Sequence, residues 1–331
     1  MLMHMLSGVV LACGLGAAEG LPEAPARGCE ALGDILSLPL LPQGMWSVVT
    51  DSHDVHGYND DGFSGNYSFL YKRDGESVIF EEEGPGCVYE IRTIGFQGNL
   101  RVYLDGASEP QLVIPFPEVY AGQKPPFVAP FVAPESAAHG SSWSYVPIPF
   151  AKGCRIATDA EKNHFFNVFA QKFAAGTPVT TFNPDRVDLA KAAALWSDPA
   201  AGPPLPARTK TLTGTLHIDP LGRASLIDMP GAGAILRMRL RLPGKPVDRA
   251  GDLLLKGHWD EAVVPQVDTP LSTFFALGCP RALAAARHAD PTLIETERYK
   301  GGFLEPHALP VGVDADGRLY CHLPMPYWKD R

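Results

Sequence analysis

The densest run of chemistry-bearing side chains is Asp51-Ser52-His53-Asp54-Val55-His56-Gly57-Tyr58-Asn59-Asp60-Asp61-Gly62-Phe63, which precedes the first strongly apolar strand pattern. Its neighbouring Asn59, Asp60 and Asp61 carry oxygen atoms suited to a hard divalent cation such as calcium, or to hydrogen bonds with sugar hydroxyls. The same residues also suit a solvated turn, because Asn, Asp and Gly tolerate left-handed backbone and bond to their own main chain. The spacing is not that of an EF-hand loop and lacks the closing glutamate. His53, His56 and His258 have no partner at a metal-specifying spacing. Asp51, His53, Asn59, Asp60 and Asp61, with Trp259 further along, are the candidate substrate-binding residues. No organic cofactor is expected. The chain has no Gly-x-Ser-x-Gly elbow, Gly-rich phosphate loop or dinucleotide fingerprint, so acyl, phosphoryl and hydride transfer find no support.

The elements that position these residues are legible from punctuation. The chain has 331 residues with 33 Gly and 32 Pro, against 45% hydrophobic residues. Pro and Gly cost about 3 and 1 kcal/mol in helix interiors, so so many of them exclude a helix bundle and leave a β-rich globular protein. Net charge is −9 and no run of basic residues occurs. A nucleic-acid partner is therefore not expected, since phosphate backbones demand a concentrated positive face. A neutral or cationic ligand fits better, and sugars belong to that class.

The order of motifs repeats. Gly84-Pro85-Gly86-Cys87-Val88, then Leu100 to Gly106, then Val113-Ile114-Pro115, then Pro147-Ile148-Pro149-Phe150 are matched by Gly231-Ala232-Gly233-Ala234-Ile235, Leu253 to Glu261, Val267 to Leu271, and Pro324-Met325-Pro326-Tyr327. The offset is 147 residues at the first element, 155 at Asp105/Asp260 and Pro115/Pro270, and 177 at the last, as loop insertions between two copies of one fold would produce. Short apolar or alternating runs divided by turn residues predict antiparallel strands at Tyr67–Tyr71, Ser77–Glu81, Val88–Ile94, Asn99–Leu104, Gln111–Ile114 and His164–Phe173. The expected fold is all-β, a double jelly roll of tandem antiparallel sandwiches with a short linking helix over Arg186–Trp196. The domains expected are a first jelly roll at 46–182, a helix and Pro/Gly linker at 183–211, and a second jelly roll at 212–331. Copy one runs on for about 30 residues past its Pro-x-Pro-aromatic element and copy two for four, so the second is expected to be incomplete at its C-terminus, by truncation or with a partner chain supplying the missing sheet edge. A further helix is expected at Pro280–His288.

Residues 1–18 contain a short apolar segment ending in Ala17-Ala18, which reads as an export signal peptide. Val10-Leu11-Ala12-Cys13 resembles a lipoprotein box, so a lipid anchor on Cys13 would be the one link to a membrane. The expected location is periplasmic, outer-membrane-anchored or extracellular. Of six cysteines, Cys87 and Cys154 fall in apolar strand patterns and read as buried small hydrophobes.

Ser52 through Gly57-Tyr58-Asn59-Asp60-Asp61, Glu83 to Val88, Arg101-Val102-Tyr103-Leu104-Asp105-Gly106 and Ser144 to Phe150 together resemble the domain-of-unknown-function 2961 family, partly assigned to glycoside hydrolase family 172. The resemblance covers about 46–182, with a weaker match over 231–331. It implies a double jelly roll, a homotrimeric or hexameric assembly, and cleavage of fructofuranosidic or arabinofuranosidic bonds by two glutamates, in a GEGD and a GTGTEDYF segment. The corresponding stretches read Gly251-Asp252 and Asp268 to Phe275, and neither contains a glutamate. Asp252 and Asp268 are the acids nearest those positions and thus the candidate catalytic pair. The functional expectation is a glycoside hydrolase-like protein acting on furanose-containing carbohydrate. The alternative is a non-catalytic carbohydrate-binding or assembly protein of the same fold, and a capsid-like shell protein is a third.

Overall fold

The computed structural model describes residues 4–15, 21–22, 24–134, 140–242, 250–277 and 310–328. The helix expected at Pro280–His288 lies outside them, as do Cys279 and the acidic residues Glu295, Glu297 and Glu305. The strands, in chain order, are β1 His4–Leu15, β2 Met45–Asp51, β3 Tyr71–Arg73, β4 Glu76–Glu83, β5 Gly86–Ile94, β6 Asn99–Leu104, β7 Leu112–Pro115, β8 Gln123–Lys124, β9 Phe127–Val128, β10 Val132–Ala133, β11 Ser142–Ser144, β12 Ile148–Phe150, β13 Gly153–Thr158 and β14 Phe165–Phe173. They continue as β15 Lys210–Ile218, β16 Gly233–Arg241, β17 Leu254–Gly257, β18 Val267–Pro270, β19 Val311–Val313, β20 Arg318–Cys321 and β21 Met325–Tyr327. Helices are short: α1 Phe116–Tyr120, α2 Ala190–Ser197 and α3 Leu271–Phe274. The fold is all-β, and every ladder between its strands is antiparallel.

The chain divides into two compact units, one of Ala26–Leu32 with Leu41–Ser197, the other of Met1–Pro25, Gly33–Leu40 and Asp198–Arg331. In the first unit, a sheet ordered β10-β11-β5-β14-β2, with β12 also on β5, accompanies a sheet ordered β3-β4-β13-β6-β7. Both sheets contribute to one core, with Val88, Ile91, Ile148, Phe150, Phe166 and Val168 from the former and Ile79, Phe80, Leu100, Val102, Ile114 and Ile156 from the latter. The alternation visible in β14, where Phe166, Val168 and Ala170 are buried and Phe169 is exposed, is the period of a strand with one face on the core. Cys87 and Cys154 sit in this interior, fully and nearly fully buried, and burial pushes both thiols up.

In the second unit, the sheet is ordered β15-β1-β16-β20-β19, with β21 also on β16, and β17 pairs with β18. Its core gathers Met238, Leu240, Leu255, Leu271, Phe275, Leu277 and Leu319. The copies agree in register residue for residue. Asn99 faces Pro115 and Val102 faces Leu112; Leu254 faces Pro270 and Gly257 faces Val267. Gly86 faces Phe150 and Val88 faces Ile148; Gly233 faces Tyr327 and Ile235 faces Met325. Pro115 and Pro270 hold the same extended conformation, φ −59° and −56°, ahead of α1 and α3. The close approach at Gly86 requires glycine, since a Cβ there would lie 2.5 Å from the Phe150 ring.

Two local expectations are corrected. The strand expected at Tyr67–Tyr71 begins only at Tyr71, because the chain before it is folded into successive turns, with Gly65 N donating to Gly62 O and Ser68 N to Gly65 O. The helix expected from Arg186 starts at Ala190: Pro184–Arg186 forms a separate 3-10 turn under an Asn183 cap, and Asp188 Oδ1 accepts from Ala190 N at 3.0 Å. The N-terminal apolar segment stands in the structure as strand β1, paired on both sides.

Candidate functional site

The Asp51–Ser64 loop leaves the end of β2 and is clamped to the chain entering β14. Ser52 N donates to Phe166 O at 3.1 Å and Ser52 Oγ accepts from Phe166 N at 3.3 Å. Gly62 is pressed against this entry: a Cβ would lie 2.5 Å from His164 O, so any other residue would push the loop away. Inside the loop the buried Asp54 carboxylate collects the amides of His56 at 2.8 Å, Tyr58 at 3.0 Å and Asp60 at 3.3 Å. Burial raises the Asp54 carboxyl, but the Tyr67 hydroxyl and those amides outweigh it and hold the group below the usual carboxylate range. Asp61 Oδ1 accepts from Asp54 N at 2.9 Å, and Asp60 binds the amide and hydroxyl of Ser64. Asn59 and Asp61 adopt left-handed backbone, φ 61° and 49°, in the tight turn where the alternate amides of His56, Tyr58 and Asp60 converge on one carboxylate.

The acids expected to meet a cation or a sugar are thus largely occupied by their own main chain. Amide donors aimed at Asp54, Asp60 and Asp61 take the lone pairs a cation would need, and among the described residues no group of three His, Cys, Asp or Glu side chains is arranged to hold a metal ion. Asp51 pairs with the exposed His53 ring, whose hydrogen bond and charge raise the imidazole above its ordinary value. What the knot presents outward is aromatic: Tyr58 is 84% and Phe63 67% exposed, flanked by exposed Val55, His56 and Asn59. Phe63 is held edge-on by Phe165 at 4.8 Å, and His56 lies edge-on to Tyr67 at 6.5 Å. Sequence reasoning attended to the carboxylates and passed over Tyr58 and Phe63. The signal was there, since an aromatic residue in an Asn-Asp-Gly turn has no core to enter.

The other candidates belong to the second compact unit. Asp252 ends a 3-10 turn over Ala250–Asp252 that packs against β18, and is exposed. Asp268 lies on β18, exposed, with its Oδ2 2.9 Å from Lys256 Nζ on the facing strand. Trp259 sits in the β17–β18 turn, where Gln266 brackets its main chain with bonds of 3.1 and 2.6 Å and where a Cβ on Gly257 would come within 2.7 Å of the indole. The neighbouring Asp260 caps Trp328 N, the residue after the Pro-x-Pro-Tyr strand. Asp105 does the same in copy one, accepting from Ala151 N at 2.9 Å and Lys152 N at 2.6 Å, with Thr181 adding a hydroxyl.

A second polar and aromatic cluster lies on the sheet of copy one. Arg92 Nη2 is 2.7 Å from Glu90 Oε1, Trp143 and Tyr145 are tilted together at 4.9 Å, and Trp196 from α2 meets Tyr145 at 5.6 Å. Register places Arg237, Arg239, Tyr320 and His322 at the matching positions of copy two. There the 198–203 segment covers them, with Pro203 O accepting from Arg237 Nη2 at 2.8 Å and Ala200 O accepting from Arg239 and from His322 Nε2. Burial, then the charges of Arg237 and Arg239, push His322 down to about 4, so the ring is neutral near pH 7.

Comparison with protein families matches residues 47–190 to the first β-sandwich domain of GH172 and residues 208–283 to a GH172 domain-like model. Comparison with curated proteins finds no match. The two family matches fall on the two copies whose strand registers agree, and together they span about two thirds of the sequence. The chain belongs to the GH172 family, and with it to the glycoside hydrolase-like, carbohydrate-related proteins.

Proposed function

We propose that this protein recognises furanose-containing carbohydrate, of the fructofuranoside or arabinofuranoside type, on the aromatic crown of the Asp51–Ser64 loop. One observation carries the reading: Tyr58 and Phe63 stand exposed on a loop whose main chain is pinned by the buried Asp54 carboxylate. Exposed rings offer an apolar face to the C–H side of a sugar, and a prefolded loop loses little conformational freedom when the ligand arrives. His53, Asn59 and the outer edges of Asp51, Asp60 and Asp61 supply polar partners for hydroxyls around those rings.

Between hydrolysis and binding without turnover, the Lys256–Asp268 pair favours binding. A retaining glycosidase needs two carboxyl groups about 5 to 5.5 Å apart, one with a raised pKa. Asp268 is exposed, and its carboxylate is committed to an ion pair with Lys256 at 2.9 Å. The trimeric assembly implied by the family resemblance is part of this proposal.

Titration calorimetry with fructofuranosyl and arabinofuranosyl oligosaccharides, alongside nitrophenyl α-furanosides, tests it. Saturable binding that weakens about tenfold in Tyr58→Ala, with no nitrophenol released, is expected; about 1.4 kcal/mol of lost stacking corresponds to that factor. No binding of either sugar class by the intact protein would overturn the reading. Release of nitrophenol abolished by Asp252→Asn or Asp268→Asn would restore hydrolysis. Light scattering at three chain masses supports the trimer, and a monodisperse monomer removes it.

A further inference from the structure

The sheet of copy two is closed by a strand from the opposite end of the sequence. In copy one, β5 is flanked by β11 and by β14, the last strand of that copy, and β14 in turn carries β2. In copy two, β16 is flanked by β20 and by β1, and β1 in turn carries β15. Since β16, β20 and β15 correspond to β5, β11 and β2, the N-terminal strand stands where copy one places β14.

The correspondence extends to single residues. Leu15 faces Gly233 as Lys172 faces Gly86, Leu11 faces Met238 as Val168 faces Ile91, and Val10 faces Arg239 as Asn167 faces Arg92. On the other side, Val10 faces Thr213 as Asn167 faces Asp51, and Cys13 faces Lys210 as Ala170 faces Val48. Even the irregularity is shared: the β14–β5 register shifts between Phe169 and Ala170, and the β1–β16 register shifts at the matching Ala12 and Cys13. A second shift in β1, between Ser7 and Val10, has no counterpart in β14. Among the described residues, β15 pairs with β1 alone. Its residues from Lys210 to Thr215 are exposed, while Leu216 and Ile218 at its other end pack against the core of the unit. An inner slot with open N–H and C=O rows on both sides is a strong template for one more strand.

We propose that residues 4–15 are a resident strand of the second sandwich, filling in cis the slot between β15 and β16 that copy one fills with its own β14. The slot is a strand-acceptor site, and its occupant is this segment. Residence of β1 in the sheet and removal of residues 1–18 as an export signal exclude one another in a single molecule, so the same experiment decides between them.

Two measurements test the proposal. In the full-length chain with Lys210→Cys, mild oxidation should link residue 210 to Cys13, its partner across the ladder, and peptide mapping by mass spectrometry should recover that disulfide. A chain starting at Glu19 should bind a labelled peptide of sequence His4 to Leu15 carrying Cys13→Ser, with a saturable anisotropy rise at least tenfold stronger than for the full-length chain or for a scrambled peptide. Recovery of the 13–210 link supports the strand even where the shortened chain fails to fold. Absence of that link in the folded full-length chain overturns it, as does a shortened chain that melts like the full-length one and binds no peptide.

Discussion

The two sandwiches are one fold built under different constraints. Copy one draws every strand of its main sheet from residues 45–173, so its central β5 has both neighbours from within the copy. Copy two takes the matching central position from residues 4–15, roughly 200 residues away from β15 and β16 along the chain. Closing a loop of that length costs only slightly more conformational entropy than the shorter loops of copy one, because the cost grows with the logarithm of length. The contrast extends to the facing layer. Copy one sets β3-β4-β13-β6-β7 against its main sheet, and the described residues of copy two offer β17, β18 and α3. Shared register with unequal support teaches that pairing is specified by the strands themselves, since it survives when half the surrounding layer differs.

Paired substitutions probe that contrast, and the largest effect should come from the core. Phe116→Ala removes a fully buried ring from copy one and should cost about 4 kcal/mol; Leu271→Ala, at the same position of copy two, should cost about 3. Chemical denaturation followed at both positions should show two transitions, each moved by its own substitution. A single transition moved equally by both would mean that the copies do not unfold separately.

The aspartate after the second motif should rank next. Asp105 is bound by three amides and a hydroxyl, and Asp105→Ala should cost about 3 kcal/mol, against about 1 for Asp260→Ala. Burial raises the Asp105 carboxyl, and Thr181 with the amides of Lys152, Gly153 and Ala151 more than reverses this, leaving it below its ordinary value. Its contribution is therefore present above the unfolded-state pKa and lost as pH falls through the lower folded one.

Acid should also distinguish the copies through His322. The ring is held neutral, with its pKa near 4 against 6.5 when unfolded, so copy two keeps full stability above pH 6.5 and loses on the order of 2 kcal/mol as pH falls to about 4. Copy one has Tyr145 at the matching position and lacks that loss. His322→Gln should flatten the acid limb of copy two alone, as read from melting temperature against pH. The smallest effect should be at the surface: Lys256→Met breaks an exposed pair and should change stability by less than about 0.5 kcal/mol.

Much of this architecture was legible from spacing. The offsets of 147, 155 and 177 residues anticipate the registers of β5 with β12 and of β6 with β7 in both copies, because turn residues and Pro-x-Pro elements mark strand ends directly. The role of residues 4–15 was not legible. A short apolar run has the same composition whether it is an export signal or a strand of a sheet. At the site, the Asp51–Asp61 cluster was found but its use was not. The residue types allow both ligand-facing and self-capped carboxylates, and the left-handed backbone at Asn59 and Asp61 goes with the second. Tyr58 was legible as an aromatic residue in a turn, and its 84% exposure gives that position its weight.

The account rests most heavily on the equivalence of β1 and β14, and backbone amide exchange of the intact chain measures both together. Residues 4–15 should exchange as slowly as β16, within about tenfold, and β14 should match β5 in the same experiment. Exchange of residues 4–15 at the rate of an unstructured peptide, with 233–241 protected, would contradict the account.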